Sequence, residues 1–257
     1  MKLSIIIVNY QSRSYLEQCL QSVFDKINNA CEFEVIVVNN GLEQELFGLV
    51  ALFPQLKIVQ NQQNLGFGHG NNLGAQLAQG EILFFLNPDA EIFSKDISLV
   101  IRQFEKNNNI GIVGSRLLTE KKEVQEWSAG REINLVQILK NNLGQKEILG
   151  EKEQELSWVS GTAMFVRKSL FDHLGGFDSQ FFMYFEDVDL CTRARKLGQV
   201  VLYFPAFSVV HHGGKSYGEK RTQKKNYYES QDYYFQKHYG LGKMWLLKIL
   251  RTITYVF

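Results

Sequence analysis

The sequence predicts an α/β fold in which a mainly parallel central sheet is flanked by helices. Three observations carry this. Near-continuous apolar runs recur at Leu3–Val8, Glu34–Val38 and Glu81–Leu86, the pattern of strands covered on both faces. Segments of helical spacing separate them, and such alternation builds a parallel sheet from strand–helix–strand units. The buried runs end in polar side chains, which gathers chemistry at the carboxyl edge of the sheet.

The elements follow in order. After Leu3–Val8, residues Ser14–Phe24 place Leu16, Leu20 and Val23 on one helical face. Glu34–Val38 is the second strand, ending in Asn39-Asn40-Gly41, and Lys57–Val59 a short third. Asn72–Gln79 reads as a helix stopped by Gly80, and Glu81–Leu86 as a strand ending in Asn87-Pro88-Asp89. Ile97–Glu105 is a helix and Ile110–Gly114 a strand. Residues 119–157 are polar and lysine-rich and read as a mobile loop with a weak helix near Leu135–Leu139. Order resumes with a strand over Trp158–Arg167 interrupted at Gly161, a helix over Lys168–Leu174 stopped by Gly175-Gly176, and a helix over Val188–Leu197 ended by Gly198. Val200–Val210 is the last strand, followed by His211-His212-Gly213-Gly214. The expected organisation is one domain over residues 1–216, with halves at 1–115 and 158–216, and a helical extension over 217–257.

Composition narrows the function. A chain of 257 residues, 45% hydrophobic and 21% charged, suits one large soluble domain or a domain with an annex. A net charge of +1 argues against a dedicated nucleic-acid binder. Three scattered cysteines without a CxxC pair give neither a disulfide framework nor a zinc ligand set, which points to a reducing, cytoplasmic setting. The N-terminus shows no charged region before its apolar run, so no signal peptide is expected. No apolar run reaches the ~18–20 residues of a spanning helix. Met244–Phe257 instead spaces Trp245, Leu246, Ile249 and Ile253 as an amphipathic helix, suited to core packing or to peripheral contact with the inner face of a membrane.

The polar strand ends are Asn9-Tyr10, Asn39-Asn40, Asn87-Pro88-Asp89 and His211-His212. Asn64–Asn72 is a glycine-rich loop entering a helix, where backbone N–H groups attract phosphate; it does not fit the GxGxxG dinucleotide fingerprint in either frame. Asn87-Pro88-Asp89 offers a carboxylate and an amide oxygen on a proline-fixed turn, enough for Mg²⁺ or Mn²⁺ when diphosphate and water complete the shell. His211 or His212 adds a further ligand suited to Mn²⁺. Phe181–Arg195 (FFMYFEDVDLCTRAR) places Glu186, Asp187 and Asp189 directly after a greasy run. Read alone, it serves equally as a helix start, with Asp189 spaced i,i+4 from Arg193, or as a site of shifted carboxylates.

The segments SIIIVNYQSRSYLEQCLQSV, EVIVVNN, NQQNLGFGHGNN, EILFFLNPDAEI, VSGTAMFVRKSLFDHLGGFDSQFFMYFEDVDLCTRARKLG and VVHHGGKS, in this order, resemble the inverting family 2 glycosyltransferases of the GT-A (nucleotide-diphospho-sugar transferase) fold, in their rhamnosyltransferase-like branch. The resemblance runs from about residue 3 to 216 apart from 119–157. It implies a nucleotide-diphosphate-sugar donor (dTDP- or UDP-linked), Mg²⁺ or Mn²⁺, and a glycan or lipid-linked acceptor in cell-surface polysaccharide synthesis. Asn87-Pro88-Asp89 matches the DxD-type metal motif, so Asp89 and His211 are the implied metal residues. Asp187 matches the general base, with Glu186 orienting the acceptor. Asn9, Tyr10, Asn39, Asn64, Gly66, Asn72 and Asn87 fall on nucleotide-sugar positions, and Trp158, Gly161 and Thr162 on the acceptor side. The chain departs from the family at Asn39, where Asp is usual, which changes a charge into an amide at a position that reads the base or ribose. The NPD form of the metal motif leans towards an L-rhamnose donor. A catalytically silent nucleotide-sugar-binding module is the competing reading, and the joint presence of Asp89, Asp187 and His211 argues against it.

Overall fold

The structure, a computed structural model, describes residues 2–27, 30–41, 46, 48–94, 96–142, 149–213 and 220–254. In chain order its elements are β1 (Leu3–Asn9), α1 (Arg13–Ile27), β2 (Phe33–Asn39), α2 (Leu49–Leu52), β3 (Leu56–Gln60), α3 (Phe67–Leu77), β4 (Ile82–Leu86), β5 (Ala90–Ile92), α4 (Ser98–Lys106) and β6 (Ile110–Leu118). Then come β7 (Ala129–Gly130), α5 (Leu135–Asn142), β8 (Gln154–Glu155), β9 (Trp158–Val159), β10 (Ala163–Arg167), α6 (Lys168–His173), α7 (Glu186–Lys196), β11 (Val200–His211), α8 (Lys220–Tyr239) and α9 (Leu241–Thr254). The expected boundary at residue 216 and the last residues of the C-terminal piece, 255–257, lie outside the described residues.

The main sheet runs β3-β2-β1-β4-β10-β6-β11-β5, with β8 paired to β11. β1 pairs in parallel with both β2 and β4, β2 with β3, and β6 with β11. β10 lies antiparallel between β4 and β6. The chain therefore leaves β1 in one direction for β2 and β3 and returns on its other side for β4, which opens a crevice above the carboxyl ends of β1 and β4.

The continuous apolar strands have the expected cause. In β1, Leu3, Ile5 and Ile7 enter one core with Leu16, Leu20 and Val23 of α1, while Ile6 enters the opposite core with Ala75 of α3. Burial on both faces removes the polar alternation of a half-exposed strand.

Three readings change. The glycine-rich segment is not a loop leading to a helix; it is the helix, since α3 begins at Phe67. A Cβ at Gly70 would stand 2.8 Å from Val8 Cγ1, and one at Gly74 would stand 2.5 Å from Ile6 Cγ2. These glycines thus let α3 press onto β1. Residues 119–157, read as a loop with a weak helix near Leu135–Leu139, hold that helix as α5 and, beyond it, the short strands β7 and β8 where they are described. The strand expected over Trp158–Arg167 is two strands in different sheets, because β9 pairs with β7 and β10 joins the main sheet.

Candidate active site

Asn87-Pro88-Asp89 bridges β4 to β5, and β5 pairs antiparallel with the end of β11, bringing Ala90 opposite His211. Asn87 N–H donates to Thr162 O (2.9 Å), so the turn is also tied to the loop before β10. His211 Nε2 lies 3.4 Å from Asp89 Oδ1, and His211 Nδ1 lies 3.0 Å from Gln125 Oε1. With Gln125 accepting from Nδ1–H, Nε2 keeps its lone pair towards Asp89. Two acceptors facing one another at that separation fit a cation between or beside them. The Asn87 amide oxygen adds to the fit: it is buried with no hydrogen-bond partner among the described residues. Imidazole, carboxylate and amide oxygen form a donor set suited to Mg²⁺ or Mn²⁺. No group of three His, Cys, Asp or Glu among the described residues can hold a metal by itself, so further oxygens must come from a ligand or water. His212 faces elsewhere: its ring bonds Glu91 (2.6 Å) and Glu120 (2.9 Å). Burial would lower its pKa, but the two carboxylates outweigh that and raise it.

Asp187 sits in the first turn of α7. The chain reaches it through Tyr184 and Phe185, both left-handed (φ 70° and 68°), a costly pair for aromatic residues and a common sign of a functional bend. Its carboxylate is fixed on both oxygens: Gly161 N–H donates to Oδ2 and Val188 N–H to Oδ1, each at 2.8 Å. Burial raises its pKa, and these backbone donors offset only part of the rise. Glu186 is buried, and its Oε2 has no hydrogen-bond partner among the described residues. Burial first and the Asp187 charge second push its carboxyl well above the usual range. Asp189 has the structural role expected of it, bonding Arg193 Nε at 2.7 Å.

A cavity of about 650 Å³ joins these groups; Asn87, Asp89, His211, Glu186 and Asp187 all line it, together with Trp158, Gly161 and Thr162. Gly161 is placed there as the amide that holds Asp187.

The other nucleotide candidates stand apart from this cavity. Asn9 and Asn39 have no exposed surface. Asn9 Nδ2 donates to Asn39 Oδ1 (3.1 Å), and Asn39 Nδ2 donates to Gln60 Oε1 (2.9 Å), a polar ladder across the ends of β1, β2 and β3. The departure at Asn39 thus has a local reason: an amide both accepts from Asn9 and donates to Gln60, and a carboxylate cannot donate. Asn72 clamps the Phe177 backbone, donating to its O (2.7 Å) and accepting from its N–H (2.9 Å). Asn64 Oδ1 accepts from Gly66 N–H (2.9 Å). Gly66 is left-handed (φ 84°), and a Cβ there would fall 2.1 Å from Phe182 O. Tyr10 is half-buried beyond β1. Of these, Asn9 and Asn39 are buried and satisfy one another, as buried amides must, while the half-buried side chains of Asn64 and Asn72 hold backbone.

Gln125 and Trp127 went unforeseen because they lie in the polar stretch that carries no motif. So did the wall formed by α8 and α9, with Tyr227, Tyr228, Leu247, Leu250 and Arg251. Its one signal was the aromatic density of Tyr227–Tyr239.

An open sheet with this strand order, and acidic and histidine side chains on one cavity at its carboxyl edge, defines the class: a GT-A glycosyltransferase fold. The family follows from the sequence, since the model of "Glycosyl transferase family 2" matches residues 4–175, and the chain belongs to that family. Among curated relatives, the low-salt glycan biosynthesis hexosyltransferase Agl10 of Haloferax volcanii is 30% identical over 201 residues, covering 76% of this chain and 62% of that protein. The N-acetylglucosaminyl-diphospho-decaprenol L-rhamnosyltransferase of Mycobacterium tuberculosis is 26% identical over 265 residues, covering 93% of this chain and 85% of that protein. Among solved structures, GalNAc-T7 with UDP, GalNAc and Mn²⁺ superposes with a TM-score of 0.68 at 15% identity, covering 91% of this chain and 50% of that one, which speaks for the fold alone.

Proposed function

We propose that the protein transfers a sugar, with inversion, from a nucleotide-diphosphate donor to a hydroxyl of a glycan or lipid-linked acceptor in cell-surface polysaccharide synthesis. L-Rhamnose is the favoured sugar, on the NPD turn and the name of the mycobacterial relative. One observation carries the reading. A carboxylate of raised pKa at the start of α7, fixed on both oxygens, shares a cavity with an Asp–His pair where β5 meets the end of β11. The acceptor O–H must lose its proton as oxygen bonds the anomeric carbon and the bond to the diphosphate breaks. Asp187 takes that proton, and its raised pKa brings its basicity closer to the operating pH. Glu186 lies beside it to orient the acceptor. Asp89 and His211, with the Asn87 amide oxygen, are the residues that would hold Mg²⁺ or Mn²⁺. Such an ion, when bound, neutralises the charge gathered by the departing diphosphate.

The test is release of nucleoside diphosphate from dTDP- and UDP-sugars by the purified protein, with and without Mn²⁺. Metal-dependent release from one donor is the expected result. Donor binding without release would favour the silent module instead. Asp89→Ala is expected to weaken Mn²⁺-dependent donor affinity at least ~tenfold, as for loss of a metal-positioning group. Unchanged affinity by calorimetry would remove Asp89 from the metal site.

The same reading includes contact with an anionic membrane surface through α9. No helix among the described residues is long and apolar enough to cross a membrane. Yet Leu241, Trp245, Leu246 and Ile249 are exposed on α9, and residues 220–254 carry eight Lys or Arg against two Asp or Glu. Apolar side chains beside Lys243 and Lys248 suit a headgroup interface. A Trp245→Glu, Ile249→Glu double variant is expected to partition into phosphatidylglycerol vesicles at least ~tenfold less than wild type, consistent with burial of two large side chains worth about 1.5–3 kcal/mol each. Equal co-sedimentation would dismiss the membrane contact.

A further inference from the structure

Trp127 lines the cavity and is 53% exposed, a large ring left in solvent beside a group of acids. Its backbone is left-handed (φ 60°), a conformation costly for a bulky residue and free for glycine. Strain of this kind persists only where the surroundings enforce it, and it collects at ligand sites. Here the surroundings do enforce it. Gln125 N–H donates to Leu117 O (2.9 Å), Ser128 Oγ donates to Gln125 O (3.0 Å), and Ala129 and Gly130 pair with β9. The face of the ring is open. Phe93 and Trp245 are exposed too, yet each lies under a lysine ammonium, 4.8 and 5.0 Å from the ring centroid. No cation or second ring covers Trp127 among the described residues. The backbone also says which substrate the ring would meet. Ser160 N–H donates to Ser128 O (2.8 Å), and the next amide, Gly161 N–H, holds the Asp187 carboxylate (2.8 Å). Adjacent peptide groups between β9 and β10 therefore tie the Trp127 turn and the proposed base together.

We infer that Trp127 is a specificity-determining platform: a pyranose ring lays its C–H face on the indole and turns a hydroxyl towards Asp187. The inference rests on the transferase reading for calling that sugar the acceptor. It assigns the choice of a ring-shaped acceptor to a residue within 119–157, where the resemblance to the family lapses. The chemistry of the two surfaces matches. One face of a pyranose offers C–H groups to a π surface, and contacts that are individually weak add up over a ring. Indole supplies that area with little loss of its own freedom, and its N–H can donate to a hydroxyl at the ring's edge. Carboxylates alone accept from any alcohol, ring or chain, whereas a flat aromatic beside them favours a flat partner. The left-handed backbone then has a cause, since it holds the indole over the cavity at the expense of local stability.

Stacking can be read without turnover. The full chain, free of metal and donor, is mixed with methyl β-D-glucopyranoside, methyl N-acetyl-β-D-glucosaminide or methyl α-L-rhamnopyranoside, and saturation transfer from protein to sugar protons is followed by NMR. D-Glucitol, with similar hydroxyls and no ring, is the control; uridine and thymidine test stacking of a nucleobase instead. At least one glycoside is expected to receive saturation, concentrated on the ring protons of one face, with D-glucitol at background. Trp127→Gly is expected to weaken that glycoside at least ~tenfold, as for loss of an aromatic anchor, while Trp127→Phe keeps part of the signal. Because glycine relieves the left-handed backbone, Trp127→Gly should melt no lower than wild type. Four results overturn the inference: glycosides no better than D-glucitol, a glycoside signal untouched by Trp127→Gly, nucleosides in place of glycosides on Trp127, or a Trp127→Gly chain that melts well below wild type, which would make the ring a packing residue. Donor cleavage with no glycoside stacking sinks the platform alone, whereas stacking with no donor cleavage sinks the transferase reading alone.

Discussion

Asp187→Asn is expected to lower sugar transfer by roughly a hundredfold to ten-thousandfold, the usual contribution of a positioned general base, while donor affinity stays within about twofold. The substitution keeps the size of the side chain and the position of α7. It removes the one property the mechanism uses, a second lone-pair oxygen able to take a proton. One contact is lost too. Gly161 N–H and Val188 N–H each donate to a carboxylate oxygen, and an amide can accept from only one side. Melting temperature and donor calorimetry therefore accompany the rates, so that a displaced loop is not mistaken for lost base catalysis. The pH profile of the wild type gives an independent check. The base works deprotonated, and burial raises its pKa, so activity should fall on the acid side through a pKa above the ordinary carboxylate range of about 4. Near-wild-type turnover of the variant, or loss of donor binding in a well-folded sample, would remove Asp187 as the base.

Much of this site was legible because its residues sit at ends of strands whose apolar runs are unmistakable. Asp89 follows β4, His211 closes β11, and β5 and β11 pair there, so two sequence-distant groups meet through backbone register. The choice between His211 and His212 was not legible in the residues by themselves, although the family resemblance implied His211. Adjacent residues on a strand point to opposite faces, and which face carries Asp89 depends on the pairing of β5 with β11. Asn9, Asn39 and Asn72 show a further limit. An amide looks the same in sequence whether it meets a ligand or holds a neighbour, and only its hydrogen-bond partners in the fold distinguish the two. The start of α3 was hidden for the opposite reason. Glycines have poor helix propensity, yet here close packing against Ile6 and Val8 overrides it. The far wall of the cavity was the least legible. It comes from α8 and α9, whose relation to α7 depends on ion pairs between residues about fifty positions apart.

Asp189→Ala is expected to lower folding stability by about 3–5 kcal/mol, the cost of breaking a buried ion cluster from one side. Asp189 has no exposed surface, and its carboxylate meets Arg193 Nε (2.7 Å), Lys237 Nζ (2.7 Å) and His238 Nε2 (2.8 Å). Arg193 keeps the carbonyls of Leu174 and Gly176, and Lys237 keeps Asp178, which places the loss near the lower end of that range. At ~2–4 °C per kcal/mol for a chain of this size, the melting temperature should drop by roughly 6–12 °C. Linkage gives the same carboxylate a second signature. Burial alone would raise its pKa, but His238, Arg193 and Lys237 outweigh burial and hold it at about 2. A depressed carboxylate contributes stability that is complete above its unfolded pKa near 4 and is lost as pH falls through about 2. That contribution is about 2–3 kcal/mol, so the variant's deficit should persist from neutral pH to about 4 and then shrink towards pH 2. The cluster also bears on the proposed reaction, since α7 carries Asp187 and α8 supplies Tyr227 and Tyr228 to the same cavity. Loosening α8 from α7 should weaken acceptor binding more than donor binding, because the donor-side groups on β4 and β11 do not depend on that contact. A variant with unchanged melting temperature at pH 7, or with a deficit that stays constant down to pH 2, would show that Asp189 does not hold the two helices together.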